Sequence, residues 1–341
     1  MTDRINVIEN FLSKTNWSDA TMSPLAGDAS LRKYLRLGPG TDGRIAVLMD
    51  ADPALGNDIK PFVHVTGFLR SINLSAPEIY AEDESLGLII LEDLGDDLFA
   101  KVVDQNPTLE QNLYTSATDL LFHLHQATPP ALSAYDSKTM TEMATLAFDW
   151  YQLGACEFIN DDERAEFNSK FSRALTDELS PPSVLIQRDY HAENLVWLPE
   201  RKGNLRVGLL DYQDAQLGHP AYDLASLLKD ARRDVPKTIE EEMINRYIDI
   251  SGTDEKDFRN AYHLLGLQRN LRILGVFARL SMHFGKPHYI DLIPRVWNYI
   301  QCDLKEPINA QFRDILNKAL PSPTPEILQR LRDKCATIPT L

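Results

Sequence analysis

The periodicity of apolar residues changes near residue 94. Before it, short apolar runs bounded by turn residues alternate with single helical stretches. After it, apolar residues recur at helical spacing almost to the end of the chain. Residues 3–14 read as an amphipathic helix. Leu25 to Leu37 and Arg44 to Met49 read as strands, joined by the turn-forming run Gly38-Pro39-Gly40-Thr41-Asp42-Gly43. Phe62, Val65, Leu69 and Ile72 mark one face of a helix over 59–72. Glu78 to Ala81 and Leu86 to Leu91 read as paired strands around Asp83-Glu84. A helix over 109–126 carries Leu113, Leu120, Leu121 and Leu124 on its apolar side, and helical spacing continues over 139–157, 162–179, 221–232, 237–250, 255–282, 287–302, 307–318 and 324–335. The pattern predicts an α+β protein with a small β-rich lobe over 1–94 and a larger, mainly helical lobe over 95–341.

The helical region is interrupted once, and the interruption carries the chemistry. Val184-Leu185-Ile186 is a short apolar run that ends just before Gln187-Arg188-Asp189. A second run, Leu195-Val196-Trp197-Leu198, begins directly after Asn194. Lys202-Gly203-Asn204 reads as a hairpin turn, and Arg206-Val207-Gly208-Leu209-Leu210 delivers Asp211 at its end. Asp189, Asn194 and Asp211 thus fall in the order and spacing of a phosphoryl-transfer site. Such chemistry needs a carboxylate to orient an attacking hydroxyl and accept its proton, and oxygen ligands to hold Mg²⁺ against nucleotide phosphates. Asp189 suits the catalytic task, and Asn194 and Asp211 suit the metal.

These residues resemble the aminoglycoside phosphotransferase and choline kinase superfamily, with Gln187 where that family usually has His. The closer likeness is to bacterial cell-wall amino-sugar kinases, which phosphorylate the anomeric hydroxyl of N-acetylmuramate and N-acetylglucosamine. Four segments carry it: Gly27-Asp28-Ala29-Ser30 with Arg32-Lys33-Tyr34; Leu91-Glu92-Asp93-Leu94-Gly95; Gly218-His219-Pro220-Ala221-Tyr222-Asp223 through Asp230-Ala231-Arg232-Arg233-Asp234; and Gln268-Arg269-Asn270-Leu271 through Phe277-Ala278-Arg279-Leu280. The resemblance implies a protein-kinase-like bilobal fold that binds ATP between its lobes.

It also implies roles. Gly27, Asp28, Ala29 and Ser30 would form the loop over the nucleotide phosphates. Glu92 and Leu94 would flank the hinge at the adenine edge. Kinases place a Lys on the following strand, but Ile45 to Asp50 has none and Met49 stands in its place. Arg32 and Arg36 share one strand face with Tyr34, so one of them is expected to supply the missing cation. Asp223 would brace the catalytic loop, with His219 beside it. Asp214, Arg232, Asp234, Glu142 and Trp150 are the candidates for acceptor contact, a guanidinium being suited to the lactyl carboxylate of N-acetylmuramate.

Composition narrows the partners. A formal net charge of −15 over 341 residues argues against nucleic acid and against an anionic membrane surface. Cys156, Cys302 and Cys335 have neither metal-ligand nor disulfide spacing. The N-terminal residues lack a basic region followed by an apolar run, and no segment approaches 18 uninterrupted apolar residues. A cytoplasmic monomer using ATP, Mg²⁺ and a small sugar acceptor is expected. The rival expectations are another small hydroxyl acceptor of the aminoglycoside, choline or homoserine type, and a pseudokinase without turnover.

Overall fold

The structure, a computed structural model, describes residues 2–25 and 32–339. The expected phosphate loop Gly27, Asp28, Ala29 and Ser30 lies outside the described residues. Nine strands form among those described: β1 (Met22–Leu25), β2 (Lys33–Leu37), β3 (Ala46–Asp50), β4 (Ile79–Asp83), β5 (Leu88–Glu92), β6 (Val184–Ile186), β7 (Leu195–Trp197), β8 (Val207–Leu209) and β9 (Gln216–Gly218). The chain divides into two compact units, one of residues 1–130 with 192–215, the other of 131–191 with 216–341. The lobes expected at 1–94 and 95–341 follow secondary-structure content, whereas these units follow packing. No helix among the described residues is long and apolar enough to cross a membrane.

The first unit holds an antiparallel sheet in the order β1-β2-β3-β5-β4. Register sorts its side chains into two rows. Leu35, Leu48 and Ile90 lie across from one another on one face, where the sheet meets Ile8, Phe11 and Leu12 of the helix Thr2–Leu12. Tyr34, Met49 and Ile89 form the matching row on the other face. Strand alternation dictates this division, and the buried row alone stabilises the unit by about 1.5–3 kcal/mol per large side chain. The hairpin β7–β8 belongs to this unit. Leu209 N–H donates to Ser75 O (3.0 Å) and Trp197 N–H to Asp97 O (2.7 Å). Gly208 carries no side chain where one would come 3.0 Å from Leu94. The helix Lys60–Ser71 meets the segment after β8, with Phe62 stacked on Tyr212 and the Thr66 hydroxyl 2.8 Å from that of Tyr212.

The second unit pairs β6 with β9 and is otherwise helical. Its centre is the long helix Glu255–Met282, packed against Ser137–Leu146, Ala221–Leu228 and Ile293–Asp303. Gly275 of the long helix permits the closest of these approaches: a methyl group there would lie 2.2 Å from the backbone carbonyl carbon of Leu146. The predicted helix over 139–157 contains a π-helical stretch at Ala147–Gln152. The helix predicted to reach 232 stops at Leu228, because the Asp230 carboxylate captures the Arg232 N–H (2.8 Å) in a side-chain-closed turn. The helices predicted from 287 and 307 open instead as 3₁₀ turns on Pro287 and Pro307.

Asp223, on the helix after β9, is fully buried. Its two carboxylate oxygens accept the backbone N–H groups of Gln187 (2.6 Å) and Arg188 (2.9 Å), just after β6. Arg188 is held at φ 72°, a left-handed conformation costly for a non-glycine residue. Ser226 Oγ donates to its carbonyl (3.3 Å). Burial lifts the Asp223 pKa to about 7, against the opposing pull of the two N–H donors.

Two outcomes follow for stability. Gly275→Ala gains about 1 kcal/mol of helix propensity, but the clash is with backbone, and overpacking costs about 1–3 kcal/mol. A net loss of stability is expected in denaturant unfolding, and an unchanged or higher midpoint would contradict the packing described. For Asp223, the folded-state pKa lies above the unfolded value near 4. Its proton therefore stabilises the fold fully below about pH 4, and that contribution fades as pH rises to about 7. Comparing unfolding free energies of the wild type and Asp223→Asn from pH 4 to 8 should show the wild-type advantage shrinking through that window. A constant difference is the contrary result.

Candidate active site

Asp189 follows the strained Arg188 in the second unit, on the loop braced by Asp223. Its side chain keeps 35% of its surface exposed and pairs with Arg272 of the long helix at 3.6 Å. Partial burial works against its charge, but the guanidinium groups of Arg272 and Arg269 outweigh that and hold the carboxyl well below the usual range. Asp189 is thus ionised throughout the neutral range. The charge returns the favour: burial presses against the Arg272 cation, and Asp189 more than restores it. The Arg188 guanidinium, whose charge adds to the same effect, stacks 5.2 Å from the centre of the Tyr135 ring.

His191 sits in the same unit, buried, with Arg232 Nη1 3.3 Å from its Nε2. A guanidinium can only donate, so Nε2 accepts and the imidazole is neutral. Burial pushes its pKa down to about 4, the Asp230 charge works against that, and the Arg232 charge adds to it. Arg232 thus contacts His191, whose surroundings also include the Asp189 charge. Asp234 does not: it is 83% exposed and bound to Arg295 through two hydrogen bonds of 2.7 and 3.2 Å. His219 is a helix cap, its Nδ1 accepting the Ala221 N–H at 3.1 Å, with its pKa pushed down to about 4 by burial. Trp150 is buried with its ring 6.0 Å from that of His283, while Glu142 faces solvent. The structure gives these two no shared surface.

Asn194 and Asp211 are in the first unit, at the open end of β7–β8. The register Leu195↔Leu209 extends by one further hydrogen bond, from Leu210 N–H to Asn194 O (3.0 Å), which sets the two residues side by side. Asp211 takes φ 55° as the chain leaves the hairpin, and its Oδ1 accepts from Gln213 Nε2 at 2.7 Å. A carboxylate and an amide oxygen on one rim form a hard-oxygen donor pair, the chemistry Mg²⁺ takes, with room in its octahedron for phosphate and water oxygens. Asp214 follows, exposed.

The remaining candidates are also in the first unit. Tyr34 has its pKa pushed up to about 12 by burial and then by the charge of Asp211, while Arg32 pulls the other way. The charges of Arg32 and Asp211 therefore reach one phenol, on the sheet face that also carries Met49. Arg36 shares that face but is already engaged. It grips Asp93 through contacts of 2.6 and 3.1 Å and Asp96 through two of 2.9 Å. The Glu92 carboxylate is held by Arg201 and accepts the Glu78 N–H at 3.2 Å. The side chains of Glu92, Asp93 and Asp96 are thus held by arginines. Sequence reading gave no role to Arg272 or Arg269. The overlooked signal was a set of guanidinium groups on a helix otherwise apolar enough to be buried.

A model of the phosphotransferase enzyme family matches residues 21–260. The N-acetylmuramate/N-acetylglucosamine kinase of Caulobacter vibrioides is 37% identical, over 92% of this chain and 96% of its own. The protein of the same name from Pseudomonas aeruginosa is 33% identical over 83% of each. Among solved structures, an ethanolamine kinase from Plasmodium vivax aligns over 89% of this chain and 88% of its own (TM-score 0.63, 14% identity). A choline kinase from Streptococcus pneumoniae aligns over 88% and 99% (TM-score 0.61, 12% identity). The solved structures establish a shared fold. The family match and the full-length relatives establish more: this chain belongs to the phosphotransferase enzyme family.

Proposed function

We propose that this protein transfers the γ-phosphoryl group of ATP to the anomeric hydroxyl of N-acetylmuramate or N-acetylglucosamine. The observation that carries this reading is sequence identity of 30–37% to four kinases named for those two sugars, spanning at least 82% of each. Asp189 accepts the hydroxyl hydrogen bond and takes its proton. Its depressed pKa makes it a weak base, so its main contribution is orientation, which suits a loose transition state in which the proton moves late. An anomeric hydroxyl is more acidic than an ordinary alcohol, which eases that transfer. Asn194 and Asp211 are the residues that would hold Mg²⁺, which when bound neutralises phosphate charge. Arg32 takes the part left open by Met49 and pairs with the nucleotide phosphates. Backbone groups of 92–94 meet the adenine edge, and Arg232 faces the acceptor.

Asp189→Asn should lower kcat by about a thousandfold or more, with the melting temperature near wild type, in a coupled ADP-release assay with either sugar. Turnover within tenfold of wild type would remove Asp189 from this role. Arg32→Ala should raise the KM for ATP roughly tenfold and leave the KM for the sugar unchanged. An unaltered ATP dependence would mean that the cation comes from elsewhere.

A further inference from the structure

The long helix Glu255–Met282 carries two guanidinium groups on one face, Arg272 and Arg279, seven residues and so two turns apart. Half-buried Val276 lies between them, and Gly275, where the helix meets the backbone of Leu146, lies to one side of that face. The two arginines differ in their surroundings. Arg272 reaches Asp189 at 3.6 Å. Arg279 is half-buried, and its Nε is shut off from solvent with no hydrogen-bond partner among the described residues. No carboxylate forms an ion pair with it among those residues. Burial and then the like charge of Arg272 both press against its protonated state.

A guanidinium cannot relieve that pressure by losing its proton, so it is relieved by an anion. Two turns of helix put Arg279 about 10 Å along the axis from the arginine that holds the base. An acceptor whose hydroxyl lies on Asp189 would extend its far side along the same face. In N-acetylmuramate that far side bears a lactyl carboxylate, and N-acetylglucosamine has a plain hydroxyl at the same ring position. A fork of guanidinium donors matches a carboxylate in two parallel bonds.

We propose that Arg279 is the specificity residue of the acceptor site, receiving the carboxylate of an acidic amino sugar while Arg272 remains on Asp189. The assignment rests on the reading of function given above. It explains why a cation is kept half-buried beside another cation in a protein of net charge −15. It also separates two tasks on one helix: Arg272 positions the base, and Arg279 selects the substrate.

The test is steady-state kinetics of the full-length wild type, Arg279→Met and Arg279→Lys, with saturating ATP and each sugar in turn. Arg279→Met should raise the KM for N-acetylmuramate about tenfold or more and leave kcat and KM for N-acetylglucosamine within about twofold. Arg279→Lys, which keeps the charge, should recover part of the loss for the acidic sugar alone. An equal loss with both sugars marks a structural role and overturns the assignment. So does an unchanged preference, or an effect confined to the KM for ATP. A wild type that phosphorylates neither sugar overturns the functional reading itself and the assignment with it, a failure distinct from one in which both sugars react and Arg279 does not discriminate.

Discussion

The buried carboxylate of Asp223 is the constraint on which the loop carrying Asp189 depends. Two successive backbone N–H groups, those of Gln187 and Arg188, end on its two oxygens. That geometry holds Arg188 in a left-handed conformation, which a non-glycine residue adopts only when its surroundings over-determine it. Asp189 is then presented at a fixed point toward Arg272. A side chain with a single oxygen at 223 could not receive both donors in this arrangement, and the loop would relax toward ordinary backbone angles. The pKa of about 7 lies above the ordinary carboxylate range because burial, which favours the neutral acid, outweighs the two donors, which favour the anion.

Charge is distributed in this protein by function more than by surface chemistry. The chain is strongly acidic, yet Arg269 is buried, Arg272 is mostly so, and Arg279 is half-buried on one helix. In the other unit the guanidinium groups of Arg36 and Arg201 are bound to the carboxylates of Asp93, Asp96 and Glu92. Those pairs fix a connecting segment. On the long helix, the charges of Arg272 and Arg269 instead act on Asp189, and Arg279 is the cation we propose an acidic acceptor meets. Arginine serves both purposes because its donors are planar, numerous and permanently charged.

Much of this was legible in the sequence where the determinants are local. The order Asp189, Asn194, Asp211 was readable because a short hairpin places the last two on one rim, and strand alternation put Tyr34 and Arg36 on one face, with Met49 joining that row by register. The bracing role of Asp223 came from the family likeness, and the geometry supplies its physical content. What was not legible is tertiary. Sequence alternation cannot show that Arg36 is taken by Asp93 and Asp96, residues 57 and 60 positions away. Helical spacing gave 139–157 as one regular helix because a π-helical turn alters hydrogen bonding without altering the apolar pattern much. Trp150 looked available for a sugar because an aromatic beside acidic residues suits both a binding face and a core, and burial decides between them.

The most direct measurement of the central claim is phosphorus and proton NMR of the product formed from ATP, Mg²⁺ and N-acetylmuramate by the purified protein. Phosphate bonded to the anomeric oxygen, seen as coupling between phosphorus and the anomeric proton, is the predicted result. Phosphate on any other hydroxyl, or no phosphosugar at all, would contradict the account.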